Sequence, residues 1–222
     1  IISFMCGIFA ILNNKAPLQI IEDSFVKGKN RGPEFSKLEY SFVRMLLGFH
    51  RLAINGLNEE SNQPLIIDNI ILICNGEIYN YKDLYKFMGV EPRTGSDCEV
   101  IIHLYLKYGI QQTLNMLDGV FAFLLYDISN NNIYIARDPL GVRPLYQMIN
   151  ISNNSNKMFG FASELKCLSE LYNLNKESYI IEQFKPGTYS VFNFSDNILS
   201  SWELINKNTP YFIPNFSHSL LL

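Results

Sequence analysis

A series of short apolar segments of strand length constrains the fold most strongly, because only a few stretches with helical spacing interrupt it. Residues 7–12 and 66–74 are rich in isoleucine and leucine, as buried strands are. Further strand-like segments occupy 120–127, 132–137, 143–149 and 158–162, and turn-forming residues separate them. Strands and helices that are grouped rather than strictly alternating favour an α+β fold with largely antiparallel sheets.

Helical spacing occurs between these strand segments. It predicts helices over 18–27, 77–88, 100–109, 111–117 and 164–171. Ser96 and Glu99 have the spacing of a capping box at the start of the third helix. Asn75-Gly76 is a turn dipeptide and is predicted to end the strand over 66–74.

The two ends of the chain differ from the rest. Residues 1–5 are too short for a signal peptide and are interpreted as a leader or upstream extension. A hairpin over 187–194 and 198–203 closes the domain, which is predicted to span 6–203. Residues 204–222 contain Pro210 and Pro214 without regular periodicity, so they are predicted to be a linker-like tail.

Composition excludes several classes of function. The chain has 222 residues, 48% of them hydrophobic, which is enough for one large domain or two small ones. Its net charge of −3 and the absence of a basic stripe argue against nucleic acid as a partner. No apolar run approaches the ~18 residues of a membrane span. Four scattered cysteines and three scattered histidines show no metal-site spacing, and free thiols favour a cytoplasmic location.

Cys6 follows Met5 directly and is the candidate nucleophile. If Met5 is a start residue that is removed, the mature chain begins with a cysteine that carries both a thiol and a free α-amine. The α-amine has an unperturbed pKa of roughly 7.7–8.0 and can accept the thiol proton and later return it. The leader 1–5 is therefore expected to block activity until it is removed.

A family resemblance rests on short motifs that occur in order along the chain. The motifs are Cys6-Gly7-Ile8-Phe9, Arg31-Gly32-Pro33-Glu34, His50-Arg51-Leu52-Ala53-Ile54, Asn62-Gln63-Pro64-Leu65, Asn75-Gly76-Glu77-Ile78-Tyr79-Asn80, Gly95-Ser96-Asp97-Cys98-Glu99 and Ala136-Arg137-Asp138-Pro139-Leu140-Gly141-Val142-Arg143-Pro144. Together they resemble the N-terminal glutaminase domain of the glutamine-hydrolysing asparagine synthetases, which are class II glutamine amidotransferases. The resemblance implies a four-layer αββα sandwich of the N-terminal nucleophile hydrolase type.

The resemblance also implies roles for particular residues in glutamine hydrolysis. Cys6 is the expected nucleophile, and the Asn75 amide and the Gly76 N–H are expected to stabilise the oxyanion of the tetrahedral intermediate. Arg51 is expected to bind the substrate's α-carboxylate. Asp97, with support from Glu77, is expected to bind its α-ammonium group.

Each of these residues has a structural alternative. Taken alone, Cys6 is more typical of a buried structural thiol, and an isolated Asn75-Gly76 of a turn that only connects a strand to a helix. Arg51 could form a surface salt bridge. Asp97 could be a solvated residue in the first turn of a helix. Arg137, Asp138 and Arg143 are interpreted as a structural ion-pair turn.

The resemblance covers only the glutaminase half of those enzymes. No Ser-Gly-Gly-x-Asp-Ser phosphate-binding loop occurs in the sequence, so ATP and magnesium are expected only in a separate synthetase domain. The expected partners are L-glutamine, a synthetase domain in cis or in trans, and a possible second copy in a homodimer; no cofactor or metal is expected in this domain. Two alternatives remain open: a glutaminase that serves another acceptor, and a non-catalytic amidotransferase-like binding module.

Overall fold

A computed structural model describes residues 5–152, 157–195 and 200–213. Leader residues 1–4 and tail residues 214–222 lie outside the described residues, as do the predictions made for them. The strands are β1 (Gly7–Leu12), β2 (Phe35–Phe42), β3 (Met45–Arg51), β4 (Leu65–Ile67), β5 (Ile70–Ile78), β6 (Gly119–Asp127), β7 (Asn132–Arg137), β8 (Tyr146–Asn150), β9 (Phe159–Ala162), β10 (Tyr179–Gln183), β11 (Thr188–Ser195) and β12 (Ser201–Pro210). The α-helices are α1 (Leu18–Val26), α2 (Tyr81–Met88), α3 (Val100–Met116) and α4 (Ser169–Asn173).

The strands form two six-stranded sheets. Sheet A has the order β10-β8-β9-β1-β3-β2, and sheet B has the order β12-β11-β7-β6-β5-β4. Neighbouring strands in both sheets pair antiparallel. The largely antiparallel α+β arrangement predicted from the sequence is therefore confirmed.

Three apolar layers hold four layers of secondary structure together. Ile8 and Leu47 of sheet A pack with Ile73 and Leu124 of sheet B in the layer between the sheets. A second apolar layer joins sheet A to α1 and α4, and a third joins sheet B to α2 and α3. Because successive strand side chains point to opposite faces, each central strand contributes to two of these layers. The four-layer αββα sandwich is confirmed.

Strand β5 departs from the local sequence signals. Asn75 and Gly76 lie inside it and pair with Ala122 and Phe121 of β6, so the prediction of a turn there is wrong. Glu77 is also a strand residue, and α2 begins only at Tyr81. Nine consecutive register pairs with β6 extend β5 past the turn dipeptide. Tertiary pairing thus overrides local turn propensity here.

The predicted capping box is also absent. Ser96 precedes a short 3-10 turn, Asp97–Glu99, and its side chain makes no capping hydrogen bond. The buried Glu99 carboxylate instead accepts hydrogen bonds from the backbone N–H groups of Arg93 and Thr94 at 2.7 and 2.6 Å. These bonds fix the segment that leads into Asp97.

The domain extends beyond its predicted end. β12 continues to Pro210 and pairs with β11, so the prediction of a linker is wrong for residues 204–210. Beyond the strand, the Tyr211 hydroxyl donates to the carbonyl oxygen of Arg137 at 2.7 Å. The described part of the tail therefore belongs to the domain.

A buried polar latch joins the end of β1 to the start of β12. The Asn13 side chain donates to the carbonyl oxygens of Lys157 and Trp202 at 2.8 Å each, and it accepts from the Trp202 N–H at 2.8 Å. Asn13 is 2% exposed and has a φ of 56°, a left-handed conformation that asparagine tolerates well. The latch connects sheet A to the edge strand of sheet B.

Replacing Asn13 by alanine is expected to lower the free energy of unfolding by about 2–3 kcal/mol, because buried backbone groups lose their partners. Chemical denaturation monitored by circular dichroism measures this change. The exposed Gln19, whose amide donates to Asp23, provides a matched control that should change stability by less than about 0.5 kcal/mol. Equal stability of the Asn13 variant and the parent would contradict the role of the latch.

Candidate functional site

A cavity at one end of the two sheets brings the predicted site residues together. Cys6, Arg51, Gly76, Glu77 and Asp97 line it. The pairing of Gly7 with His50 places Cys6, just before β1, beside Arg51 at the end of β3. The sixth predicted residue, Asn75, lies in β5 between two residues that line the cavity.

The Cys6 thiol lies against the start of the loop that follows β3. Its Sγ donates to the Leu52 carbonyl oxygen at 3.3 Å, and the Leu52 N–H lies 3.4 Å from the same sulfur. The Arg31 Nε–H donates to the Cys6 carbonyl oxygen at 2.8 Å. The Met5 N–H donates to the Arg31 carbonyl oxygen, also at 2.8 Å. Arg31 thus holds the backbone on both sides of the Met5–Cys6 bond.

Burial controls the protonation of Cys6. It raises the pKa of the thiol above its ordinary value, and the hydrogen bond with Leu52 and the charges of Arg51 and Arg143 only partly oppose this effect. The thiol is therefore protonated at neutral pH when its nitrogen is in a peptide bond with Met5. Because the thiolate is the nucleophile, a base must take this proton before the sulfur can attack a substrate.

Asn75 carries a free donor inside the protein. Asn75 is 1% exposed, and its Nδ2 has no hydrogen-bond partner among the described residues. Ile73 lies in the layer between the sheets, so strand alternation places the Asn75 side chain in that layer, where Cys6 also packs. A buried amide without a partner costs about 1–3 kcal/mol, so it needs an explanation such as a ligand.

Gly76 provides a second potential donor through its backbone. A Cβ at this position would lie 2.7 Å from the Val120 carbonyl oxygen and 2.9 Å from the Phe121 Cβ. Only glycine therefore fits this close approach of β6. Its N–H and the Asn75 amide come from adjacent residues of β5.

Arg51 is a buried cation that its own loop holds. Its Nη1 donates to the Asn58 carbonyl oxygen at 3.1 Å and to the Asn62 Oδ1 at 2.6 Å, and its Nη2 donates to the Gly56 carbonyl oxygen. Arg51 is 7% exposed, so a surface salt bridge does not explain it. Of its five N–H donors, the Nε–H and one Nη2–H have no partner in the described part of the chain. These donors are available to a carboxylate.

Two carboxylates lie in the same cavity. The Asp97 Oδ2 accepts from the Ile78 N–H at 2.6 Å. Burial raises the pKa of Asp97 and the nearby Glu77 raises it further, whereas the hydrogen bond from Ile78 lowers it. Asp97 is 5% exposed and is not a solvated helix residue. Glu77 is more exposed and lies 3.8 Å from the Arg143 guanidinium.

The turn after β7 is only partly as predicted. Arg137 donates to the carbonyl oxygens of Arg143, Phe184 and Gly141 at 2.7 Å each, which confirms a structural role. Asp138 accepts from the backbone N–H groups of Leu140, Val142 and Arg143, so it is structural too. Side-chain-to-backbone bonds, not ion pairs, stabilise this turn. It leads from sheet B to sheet A rather than between paired strands.

One residue that lines the cavity escaped prediction, and Arg143 lies close to the site. The Arg143 guanidinium reaches the Met5 sulfur and approaches Glu77, contacts that are compatible with the structural role predicted for it. Gln63 bonds both backbone groups of Cys74, donating to its carbonyl oxygen at 3.1 Å and accepting from its N–H at 2.5 Å. It thereby fixes the residue before Asn75. The motif Asn62-Gln63-Pro64-Leu65 was the available signal for Gln63.

The described residues contain no group of three or more histidine, cysteine, aspartate or glutamate side chains arranged to hold a metal ion. In the same part of the chain, no helix is both long and apolar enough to cross a membrane.

Comparison with known proteins identifies relatives in sequence and in structure. Residues 5–203 match the sequence profile of the glutamine amidotransferase domain. The glutamine-hydrolysing asparagine synthetase of Gallus gallus is 39% identical over 194 residues, which are 85% of this chain and 34% of that protein. The enzyme of the same name from Homo sapiens is 36% identical over 202 residues, 87% of this chain and 34% of that protein. The chain thus spans about a third of the length of these curated relatives.

The fold has solved counterparts. Glutamine phosphoribosylpyrophosphate amidotransferase from B. subtilis, solved with ADP and GMP, superimposes with a TM-score of 0.68 at 23% identity, over 91% of this chain and 50% of that one. The allosteric regulatory enzyme of purine biosynthesis superimposes with a TM-score of 0.65 at 23% identity, over 92% of this chain and 50% of that one. These similarities show a shared fold.

Proposed function

The chain belongs to the glutamine amidotransferase domain family, and from this premise we propose that it hydrolyses L-glutamine to glutamate and ammonia with Cys6 as nucleophile. The observation that carries this proposal is a single cavity in which a thiol, a buried cation and a buried carboxylate meet beside an amide donor without a partner. A thiol supplies the nucleophile, and the two charges match the ends of a free α-amino acid.

The geometry supports a two-step acyl transfer. The Cys6 α-amine takes the thiol proton, and the sulfur attacks the carboxamide carbon of glutamine. Asn75 Nδ2 and the Gly76 N–H stabilise the resulting oxyanion. The C–N bond then breaks, ammonia leaves with the proton from the α-ammonium group of Cys6, and a thioester remains. Water attacks the thioester, and the amine takes a proton from the water and returns it to the sulfur as glutamate leaves.

Arg51 and Asp97 would hold the part of the substrate that does not react. The two partnerless N–H groups of Arg51 suit the α-carboxylate, and Asp97, with Glu77 nearby, suits the α-ammonium group. Both charges are buried, so their interactions with the substrate are strong and geometrically fixed. We expect protein whose first residue is Cys6 to release glutamate from L-glutamine but not from D-glutamine, and an assay of glutamate tests this.

The ammonia would serve a synthetase. Relatives named glutamine-hydrolysing asparagine synthetase support transfer to aspartate, and the chain spans 34% of their length. ATP and magnesium would then bind to a synthetase domain in cis or in trans.

The four cysteines are free, which supports a reducing compartment such as the cytoplasm.

Substitution of a substrate-binding residue and substitution of an oxyanion donor should change different kinetic constants. Arg51→Ala and Asp97→Ala should mainly raise KM, because both side chains hold the substrate head in the ground state and in the transition state alike. Asn75→Ala should instead lower kcat by about 10²–10³, the usual cost of losing one oxyanion donor. Steady-state glutamate release measures both constants. A normal kcat for Asn75→Ala would remove Asn75 from the oxyanion site.

A further inference from the structure

Resting on the proposed function, we propose that Gln63 is a positioning residue that holds the backbone N–H of Gly76 in place as an oxyanion donor. Its side chain takes the place of a neighbouring strand beside β5, two residues before Gly76. Gln63 and Gly76 both line the cavity.

The edge of β5 that faces away from β6 is covered only at its start. β4 has three residues, and its pairing with β5 ends at Leu65 opposite Leu72. Continued by two residues, this register would place Gln63 opposite Cys74. Pro64 lies between Gln63 and β4, and it has no N–H with which to extend the ladder. Among the described strands, β4 is the last of sheet B on this side, so the second half of β5 has an uncovered edge.

The Gln63 side chain makes the bonds that a neighbouring strand would make. It donates to the Cys74 carbonyl oxygen at 3.1 Å and accepts from the Cys74 N–H at 2.5 Å. Residues that face each other in an antiparallel ladder exchange the same two bonds through their backbones. Gln63 and Cys74 are both buried, so water does not compete for these bonds. Without the side chain, both backbone groups of Cys74 would be buried without a partner.

Backbone alternation gives the direction of the Gly76 N–H. The N–H groups of successive strand residues point to alternate edges, so those of Cys74, Gly76 and Ile78 share the uncovered edge. The Ile78 N–H does point there, since it donates to Asp97 Oδ2 at 2.6 Å. The Gly76 N–H therefore lies between two N–H groups that side chains hold, those of Gln63 and Asp97.

The opposite strand supports this direction. Phe121 of β6 lies opposite Gly76. Its N–H donates to the Asp138 carboxylate at 3.3 Å, and its carbonyl oxygen accepts from the Asp138 N–H at 2.7 Å. Both backbone groups of Phe121 thus point away from β5, and the Gly76 N–H is left for a ligand in the cavity.

The position of this donor matters for the rate rather than for binding. An oxyanion forms only after the thiol has attacked, so its donors stabilise the transition state and not the bound substrate. A displacement of about 1 Å can lower a rate about 10²-fold. Release of Cys74 would let β5 shift at the two residues that follow it, Asn75 and Gly76. Loss of the Gln63 bonds should therefore lower kcat and leave KM nearly unchanged.

Gln63→Met tests this role, because it removes both hydrogen bonds and nearly keeps the length of the side chain. In protein whose first residue is Cys6, kcat for L-glutamine should fall about tenfold to a hundredfold, and KM should stay within about threefold of the parent value. Steady-state glutamate release measures both constants. Gln63→Asn is shorter and cannot reach both groups of Cys74 in the same way, so it should also lower kcat and serves if the methionine variant does not fold.

Gln147 provides the matched control. It is buried in β8 of sheet A, outside the residues that line the cavity, and its amide donates to Glu182 at 2.9 Å. Gln147→Met also removes a hydrogen bond of a buried glutamine, yet kcat should stay within about twofold. A parent-like kcat in the Gln63 variants, a loss confined to KM, or an equal loss of kcat in Gln147→Met would overturn the inference alone. A parent protein that releases no glutamate would overturn the proposed function.

Discussion

Cys6→Ala is expected to reduce glutamine hydrolysis by at least about 10⁴-fold, to the residual level that binding and oxyanion stabilisation supply without a nucleophile. The side chain forms the thioester in the proposed reaction, and alanine offers no atom that can replace the sulfur. Steady-state assays of glutamate and of ammonia measure the loss. Mass spectrometry of a quenched reaction should show a glutamyl adduct in the parent and none in the variant.

A second thiol in the same cavity provides the control. Cys98 lines the cavity, but the neighbouring Cys74 and burial hold the pKa of its thiol well above the ordinary value. Cys98→Ala should therefore retain activity within about threefold. Unchanged circular dichroism would show that both variants fold. Hydrolysis by Cys6→Ala at the parent rate would assign the nucleophile to another residue.

The sequence predicted the fold where local pattern and tertiary pairing agree. The strand Asn132–Arg137 has its predicted bounds. Apolar residues on both faces of this segment and the asparagine-rich turn before it both favour a strand. Gly109 interrupts α3 with a φ of 74°, which matches the prediction of two helical segments that meet there. β10 was not predicted, because buried and exposed residues do not alternate regularly along it.

Predictions failed where tertiary contacts override local preference. Asn75-Gly76 reads as a turn, yet pairing with β6 keeps it extended, and this extension gives the Asn75 side chain its place between the sheets. Sequence motifs identified Cys6, Arg51 and Asp97, and the fold brings them into one cavity. The bonds between Asn13 and Trp202 could not be predicted, because 189 positions separate the two residues and no periodic pattern links them.

Protein that retains Met5 is expected to hydrolyse glutamine at least about 10²-fold more slowly than protein whose first residue is Cys6, because a general base contributes about 10²–10⁴. The nitrogen of Cys6 in a peptide bond is not basic and cannot relay the thiol proton. A tag cut directly before Cys6 gives the free amine, and a tag that leaves Met5 in place gives the blocked form. Glutamate release per titrated thiol compares the two.

No histidine of the described chain can replace the α-amine as base. His50 has both ring nitrogens engaged, with Ser36 Oγ at 2.7 Å and the Phe25 carbonyl oxygen at 2.9 Å, and burial lowers its pKa. His103 bonds the buried Glu99 at 2.9 Å. The activity of the free form should therefore rise with pH through the α-amine's pKa of roughly 7.7–8.0. Equal rates for the two forms would place the base elsewhere.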